Sequence, residues 1–328
     1  EIPELAPSSG KRVAVVGSGP SGLTAAAELA RSGHDVTLYE SLHEAGGVLM
    51  YGIPSFRLPR EVVRAEIDSA LSLGVDLYLN HLVGRSVTVD ELLAHDAVYI
   101  ATGAGLPFFM GIPGEHLNGV YSANEFLTRV NLMHADRFPE YDTPVRRGCR
   151  VAVVGGGNVA LDAARVALRL GGIATLIYRR REEDMPARLA EVRHAKEEGV
   201  EFLTCVNPVR VLGKDRVEGV ECVRMRLCGE DAEGRGWFEP EEGSAFTVEA
   251  DVFIVAIGTS PNPLLLGCLD GLECGGLGNV TVDSEGRTSI PHVFAGGDVA
   301  TGAATVILAM GAAKTAAKAI NRMLSGGG

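Results

Sequence analysis

The sequence predicts an α/β protein made of two similar strand–helix–strand domains, and three observations carry that prediction. The hexapeptide RVAVVG occurs twice, at Arg12–Gly17 and Arg150–Gly155. Each copy is a β-branched run that ends in glycines and leads into an Ala- and Leu-rich stretch. Glycine fills 42 of 328 positions, about 13% against a usual ~7%, and a clear share of the excess falls in the turns after such strands.

Taken in order, the first strand at Arg12–Val16 is followed by a helical pattern over Leu23–Arg31 and a second apolar strand at Asp35–Glu40. The second copy repeats this with a helical pattern over Leu161–Leu170 and a strand at Ala174–Tyr178. Strand, turn, helix and strand form a βαβ unit, in which the crossover helix lets two strands pair in parallel. Asp96–Ala104 (DAVYIATGA) and Asp251–Thr259 (DVFIVAIGT) also echo each other, as strands running into a glycine turn. A helix is expected around Met185–Lys196. Near the end, Val293–Asp298 (VFAGGD) is a short strand closing on Gly296, Gly297 and Asp298, and Thr305–Ile320 is helical from about Ala304. The fold class is therefore α/β with two Rossmann-like domains.

The glycines have mechanical roles. Gly17, Gly19 and Gly22 form G-x-G-x-x-G between strand and helix. In that pattern the first glycine permits the turn, the second admits a pyrophosphate, and the third lets helix pack on strand. The phosphates then sit at the positive end of the helix. In the second copy Gly155 and Gly157 repeat the turn and Ala160 takes the third place. Two copies, each with its strand and helix, point to two dinucleotide sites.

The residues at the end of each second strand distinguish the ligands. Glu40 closes the first; a carboxylate there accepts hydrogen bonds from a ribose diol and repels a 2′-phosphate. The matching position in the second copy is Tyr178, and Arg179, Arg180 and Arg181 come directly after it. Arginine forks pair well with phosphate. Charge-assisted hydrogen bonds contribute about 1.5–3 kcal/mol each, so two of them favour NADP over NAD by roughly 100-fold. An unphosphorylated adenosine ribose is expected in the first site and NADP(H) in the second, a combination that suggests FAD with a nicotinamide donor. Asp298 is placed to hold ribityl hydroxyls, and a helix start near Ala304 would stabilise a reduced flavin ring.

Length points to two domains, and 46% apolar residues suffice for a sizeable core. The net charge of −12 argues against nucleic acid as a partner. No apolar run reaches the ~18 residues of a membrane span. Glu1–Gly10 has no signal-peptide layout, and the sequence opens without Met, so residues upstream are expected to be missing. Six scattered cysteines suit reduced thiols and a cytoplasmic location.

With these motifs in hand, the chain resembles the FAD- and NADP-binding part of the glutamate synthase small subunit, a module also found in dihydropyrimidine dehydrogenase. The resemblance spans about Lys11 to Leu324 and rests on VAVVGSGPSGLTAAAELA, GGVLMYGIPSFRLPR, GGGNVALDAAR, YRRREEDMPA and FAGGD. The stretch Gly111–Met133 looks closest to the large subunit of NADH-dependent ferredoxin:NADP oxidoreductase (sulfide dehydrogenase). The resemblance implies that Gly17, Gly19, Ser21, Gly22, Glu40, Gly47, Val48, Arg57, Val83, Gly103, Gly297, Asp298, Thr305 and Val306 line FAD. It places Gly156, Gly157, Asn158, Val159, Arg179, Arg180, Ala256 and Gly258 on NADP(H). It also implies a nested layout: an FAD domain over 1–110 and 288–328, with the NADP domain, 111–287, inserted.

Such relatives usually carry an N-terminal domain of Cys-ligated iron–sulfur clusters, and this sequence is expected to be without it. Cys222 and Cys228 share one strand face and Cys268 and Cys274 sit in a Gly-rich loop, spacings unlike a C-x₂-C-x₂-C cluster run. No metal site is expected. Electrons are expected to leave for an iron–sulfur partner, either ferredoxin or a larger synthase-type subunit, or for a missing segment.

A disulfide reductase needs a close cysteine pair by the flavin, but Gly46-Gly47 is followed by Val48-Leu49-Met50-Tyr51-Gly52, and Cys149 is solitary and expected in the core. The eight histidines show no ligand-like spacing and no side chain is expected to be catalytic, as hydride transfer belongs to the cofactors. The expected activity is that of an NADP-preferring, FAD-containing oxidoreductase subunit. A flavin oxidase or monooxygenase and a non-catalytic nucleotide-binding redox subunit are the alternatives.

Overall fold

The computed structural model describes residues 5–231, 234 and 236–326, so the outer domain limits expected at 1 and 328 lie outside the described residues. Each RVAVVG copy is a buried strand that feeds a helix. The chain starts with β1 (Arg12–Val16), α1 (Pro20–Arg31), β2 (Asp35–Tyr39), α2 (Arg60–Leu71), β3 (Asp76–Tyr78) and β4 (Ala97–Ile100). It continues through β5 (Val120–Ser122), α3 (Ala123–Asn131), β6 (Arg150–Val154), α4 (Asn158–Arg169), β7 (Ile173–Tyr178), α5 (Leu189–Glu197) and β8 (Glu201–Thr204). Four antiparallel strands come next, β9 (Val206–Leu212), β10 (Gly219–Glu230), β11 (Gly236–Pro240) and β12 (Phe246–Glu249), and then β13 (Val252–Val255). The last elements are β14 (Val293–Ala295) and α6 (Val306–Leu324).

The strands order as β14-β4-β1-β2-β3 in one parallel sheet and β5-β13-β6-β7-β8 in another. Both sheets place the RVAVVG strand at the centre. Arg12 lies opposite Asp35 and Arg150 opposite Ile173, so the two halves share one register. Being buried on both faces, β1 and β6 read as continuous apolar runs rather than alternating ones.

The helices begin earlier than hydropathy alone suggests, at Pro20 and Asn158, because each starts directly from its glycine turn. The helix expected from Met185 starts instead at Leu189. Pro186 interrupts it, and the preceding stretch is a single tight turn over Glu182–Asp184.

The chain divides into two compact units, one of Glu1–Met50, Ser55–Leu106 and Thr259–Gly328, the other of Tyr51–Pro54 and Pro107–Gly258. Residues 259–287 thus lie in the first unit, not in the inserted domain expected to run to 287. The cause is apolar burial: Leu265, Leu266, Leu269 and Val280 pack with Val83, Val98, Ile100 and Val293. On the other face of the first sheet, Leu23, Leu29 and Ile320 help bury Val13, Val15 and Leu38. The second unit has its own core around Val154, Ile177, Val220 and Phe253, which ties the antiparallel strands to the parallel sheet.

Candidate functional site

Each unit carries one glycine cradle at the end of its central strand. In the first, Gly17 has a φ of +99°, and a Cβ there would stand 2.5 Å from the Ala101 carbonyl oxygen. Gly22 presses on the same turn, since its Cβ would be 1.7 Å from the oxygen of Gly17. Gly19 caps α1 without a side-chain hydrogen bond, and nothing lies within 4 Å of where its Cβ would be. The orphan N–H groups and the positive end of α1 are therefore presented at an open position, which suits a phosphate.

Glu40 is 5% exposed. Its Oε2 accepts hydrogen bonds from the Ser18 N–H at 2.9 Å and the Ser18 hydroxyl at 2.5 Å. Its Oε1 accepts from the Leu42 N–H at 2.9 Å and the Ser41 hydroxyl at 3.2 Å. Four donors offset the cost of burying the carboxylate. Glu40 thus braces the glycine turn through Ser18. Sequence reasoning did not anticipate this partner, although Ser18 sits inside the motif.

The second glycine pair closes on the first. The Gly46 N–H donates to the Ser18 carbonyl at 3.1 Å and lies 3.0 Å from its hydroxyl oxygen. Gly47, at φ +54°, has its would-be Cβ 2.8 Å from the Gly19 Cα. From the far end of the unit, Gly297 brings its would-be Cβ to 2.8 Å from the Ser21 Cβ, and the Ser21 hydroxyl hydrogen-bonds Tyr99 at 2.7 Å. Gly17, Gly19, Ser21, Gly22, Glu40, Gly47 and Gly297 therefore form one connected cradle.

Asp298 opens a short helix behind Gly297; burial pushes its carboxyl pKa up, and its Oδ1 accepts the Ala304 N–H at 3.2 Å. Thr305 caps α6 by accepting the Leu308 N–H at 3.3 Å, with Val306 as the first helical residue. Val48 begins a one-turn helix, Arg57 is half-buried ahead of α2, and Gly103 (φ +67°) follows β4. The Val83 side chain is buried in the core of the first unit. One group had no sequence signal: Thr102 lies beside Gly17, and its Oγ1 is buried with no hydrogen-bond partner among the described residues.

The second cradle repeats the first with different chemistry. The would-be Cβ of Gly155 (φ +147°) lies 2.3 Å from the oxygen of Ala256, whose own N–H donates to Val154 at 2.8 Å. Gly157 caps α4 with no side-chain bond and open space beyond it. Asn158 accepts the Arg188 N–H at 3.1 Å and Gly156 accepts the Ala187 N–H at 3.2 Å, so residues 187–188 are tied to the turn. Val159 is exposed on the first turn of α4. Gly258, at φ +120°, accepts the Phe108 N–H at 3.0 Å.

The three arginines after β7 have separate fates. Arg181 is engaged: its Nε donates to Asp184 at 2.9 Å and its Nη1 to Glu230 at 2.8 Å, which raises its pKa further. Arg179 is exposed, Arg180 half-exposed, and neither side chain makes an ion pair or hydrogen bond among the described residues. Among the described residues, two guanidinium groups without a partner therefore follow directly on the strand whose last residue, Tyr178, packs against Gly156 of the turn.

The six cysteines are all free. Burial pushes the Cys222 thiol up to about 12, and burial raises Cys149 and Cys205 as well, the wrong direction for thiolate chemistry. No group of three or more His, Cys, Asp or Glu is arranged for a metal ion, and no helix is long and apolar enough to cross a membrane, among the described residues.

Residues 11–320 match the family described as pyridine nucleotide-disulphide oxidoreductase. The chain belongs to that family. Within the family it is 38% identical over 313 residues to a putative glutamate synthase [NADPH] small chain of Cereibacter sphaeroides, covering 94% of this chain and 76% of that one. It is 44% identical over 326 residues to the NADP(+)-dependent formate dehydrogenase subunit beta of Moorella thermoacetica, covering 97% of this chain but 45% of that one. The NADPH-Fe(3+) oxidoreductase subunit beta of Geobacter sulfurreducens is 38% identical over 351 residues, 98% of this chain and 51% of its own. The chain thus spans about half the length of these last two relatives. Among solved structures, Mycobacterium tuberculosis FprA in complex with NADPH superposes with a TM-score of 0.79 at 21% identity, over 97% of this chain and 85% of that one. The thioredoxin reductase of T. acidophilum gives 0.72 at 22% identity, over 95% of this chain and 99% of that one. At such identities these structures establish the family's fold, with two dinucleotide-binding domains.

Proposed function

We propose that this chain is the FAD- and NADP(H)-binding part of an NADPH oxidoreductase that delivers electrons to an iron–sulfur partner. The observation that carries this reading is a contrast between two cradles built alike. In one, the strand after the turn leads to a buried carboxylate; in the other it leads to two arginines with no ion pair among the described residues. The first charge suits a ribose diol and the second a 2′-phosphate.

The first unit fits FAD. Gly17, Gly19 and Gly22 would admit the pyrophosphate to the α1 N-terminus, with Gly47 closing the cradle. Glu40 would fix the adenosine ribose, and the main chain of Val83 the adenine end. Gly297, Asp298, Thr305 and Val306 would hold the ribityl and ring end, with Ser21, Val48, Arg57 and Gly103 lining the remainder. The Oγ1 of Thr102 adds a donor that none of the described residues uses. When bound, FAD takes two electrons from a nicotinamide and releases them singly.

In the second unit Gly156, Gly157, Asn158 and Val159 would receive the NADP pyrophosphate. Arg179 and Arg180 would take the 2′-phosphate, and Ala256 and Gly258 the nicotinamide side. The work of these side chains is to bind, orient and exclude water. Several relatives are named as beta subunits or small chains, which supports a partner that completes the electron path. The test is anaerobic addition of NADPH to the flavin-loaded protein. Bleaching of the flavin absorbance is expected, and absence of bleaching by both NADPH and NADH would overturn the reading.

A further inference from the structure

The second unit contains a fastening device that the proposed binding roles leave unused. Asp184 is a nearly buried carboxylate, its side chain 5% exposed, on the turn directly after the three arginines. Its Oδ2 accepts the Arg181 Nε at 2.9 Å and the Arg181 N–H at 3.3 Å, and its Oδ1 accepts Arg181 Nη2 at 3.2 Å. That Oδ1 also accepts the N–H of Gly236, the first residue of β11, at 3.4 Å. Its carbonyl accepts the Tyr178 hydroxyl at 2.8 Å. Arg181 in turn reaches Glu230, the last residue of β10, at 2.8 Å. One residue earlier, the Arg180 carbonyl accepts the Cys205 N–H at 2.9 Å, and the Cys205 carbonyl accepts the Met225 N–H at 2.7 Å. The arginine-bearing turn is therefore secured at both ends to the long β10–β11 hairpin.

With Glu183 Oε1 also 3.4 Å from Nε, the Arg181 guanidinium faces three carboxylates, which leaves no donors well placed for a further anion and repels phosphate. We infer that Arg181 is not a phosphate ligand: the Asp184–Arg181–Glu230 chain is a positioning device that holds Arg179 and Arg180 beside the cradle and so sets the preference for a 2′-phosphate. This role rests on the proposed NADP(H) site. It goes further by assigning opposite roles to neighbouring arginines and by making the hairpin part of coenzyme choice.

The experiment measures NADPH and NADH affinity by titration of the flavin-loaded protein for Asp184→Asn, Arg181→Ala and the double variant, with Tm checked for each. If Arg181 is a fastener, each single change lowers the NADPH-to-NADH affinity ratio about tenfold, and the double change is no worse than either one. If Arg181 were a ligand restrained by Asp184, Asp184→Asn would tighten NADPH binding, and that result overturns the inference. An unaltered ratio in both single variants also overturns it. Glu230→Gln, which alters the hairpin anchor alone, should lower the ratio in the same direction where Asp184→Asn fails to fold. Arg179→Ala with Arg180→Ala serves as the separate control: equal losses for NADPH and NADH there would reject the NADP(H) reading itself.

Discussion

The ring of Tyr178 and the backbone of Gly156 are fitted to each other. A Cβ on Gly156 would stand 2.4 Å from the Tyr178 Cε2 and 2.8 Å from its Cζ, while the Tyr178 hydroxyl donates to Asp184 at 2.8 Å. The aromatic residue that replaces an acid at the end of β7 thus supports the second cradle from beneath.

Gly156→Ala should displace that ring and the turn bonded to it. Overpacking of this kind costs roughly 1–3 kcal/mol, and NADPH affinity is expected to fall about tenfold. Tyr178→Phe, which removes the hydroxyl alone, should cost about 1 kcal/mol. Thermal melts with NADPH titrations check both, and an unaltered Gly156→Ala protein would disprove the fit.

Replacing Arg179 and Arg180 together with alanine should weaken NADPH by about 100-fold, the sum of two charge-assisted hydrogen bonds, and leave NADH nearly unaffected. The two dissociation constants, measured at one salt concentration, decide it.

Glu40→Gln should loosen the first cradle, because an amide presents one acceptor oxygen where the carboxylate now serves Ser18 and Leu42 with two. A loss of roughly 1–3 kcal/mol is expected. The ratio of flavin to protein absorbance after purification should drop, and full flavin content would contradict the role given to Glu40.

Acid sensitivity should trace to the link between α4 and α5. Arg169 and Arg165 hold the Glu198 carboxyl at a pKa of about 2, against an ordinary 4.5. A depressed carboxylate pKa stabilises the fold above the unfolded value and loses that contribution as pH falls through the folded one. The Tm gap between the native protein and Glu198→Gln should therefore be full at neutral pH and shrink between about pH 4.5 and 2. A gap that persists unchanged at the acid end would refute this assignment.

Much of this molecule is legible along the chain because its information is local. The spacing of Gly17, Gly19 and Gly22, the β-branched runs before them and the apolar stretches after them depend on neighbours a few residues away. Hydropathy places both helix starts three residues late for the same reason: Pro20 and Asn158 are not apolar, and only the turn shows that the helix begins there. Pro186 is a visible signal against a helix from Met185, and the structure follows it.

The two parallel-sheet halves, their glycine turns and the opposite charges at Glu40 and Arg179–Arg180 can all be read along the chain. Which arginine is engaged emerges with the folded chain alone, since Glu230 meets Arg181 only after β10 has crossed back to the turn. The folded chain alone also assigns residues 259–287 to the first unit, where Leu265 and Leu266 find an apolar surface. The physical reason is the same in both cases. Ion pairs and core contacts between distant segments depend on where the chain returns, and no local pattern encodes that distance.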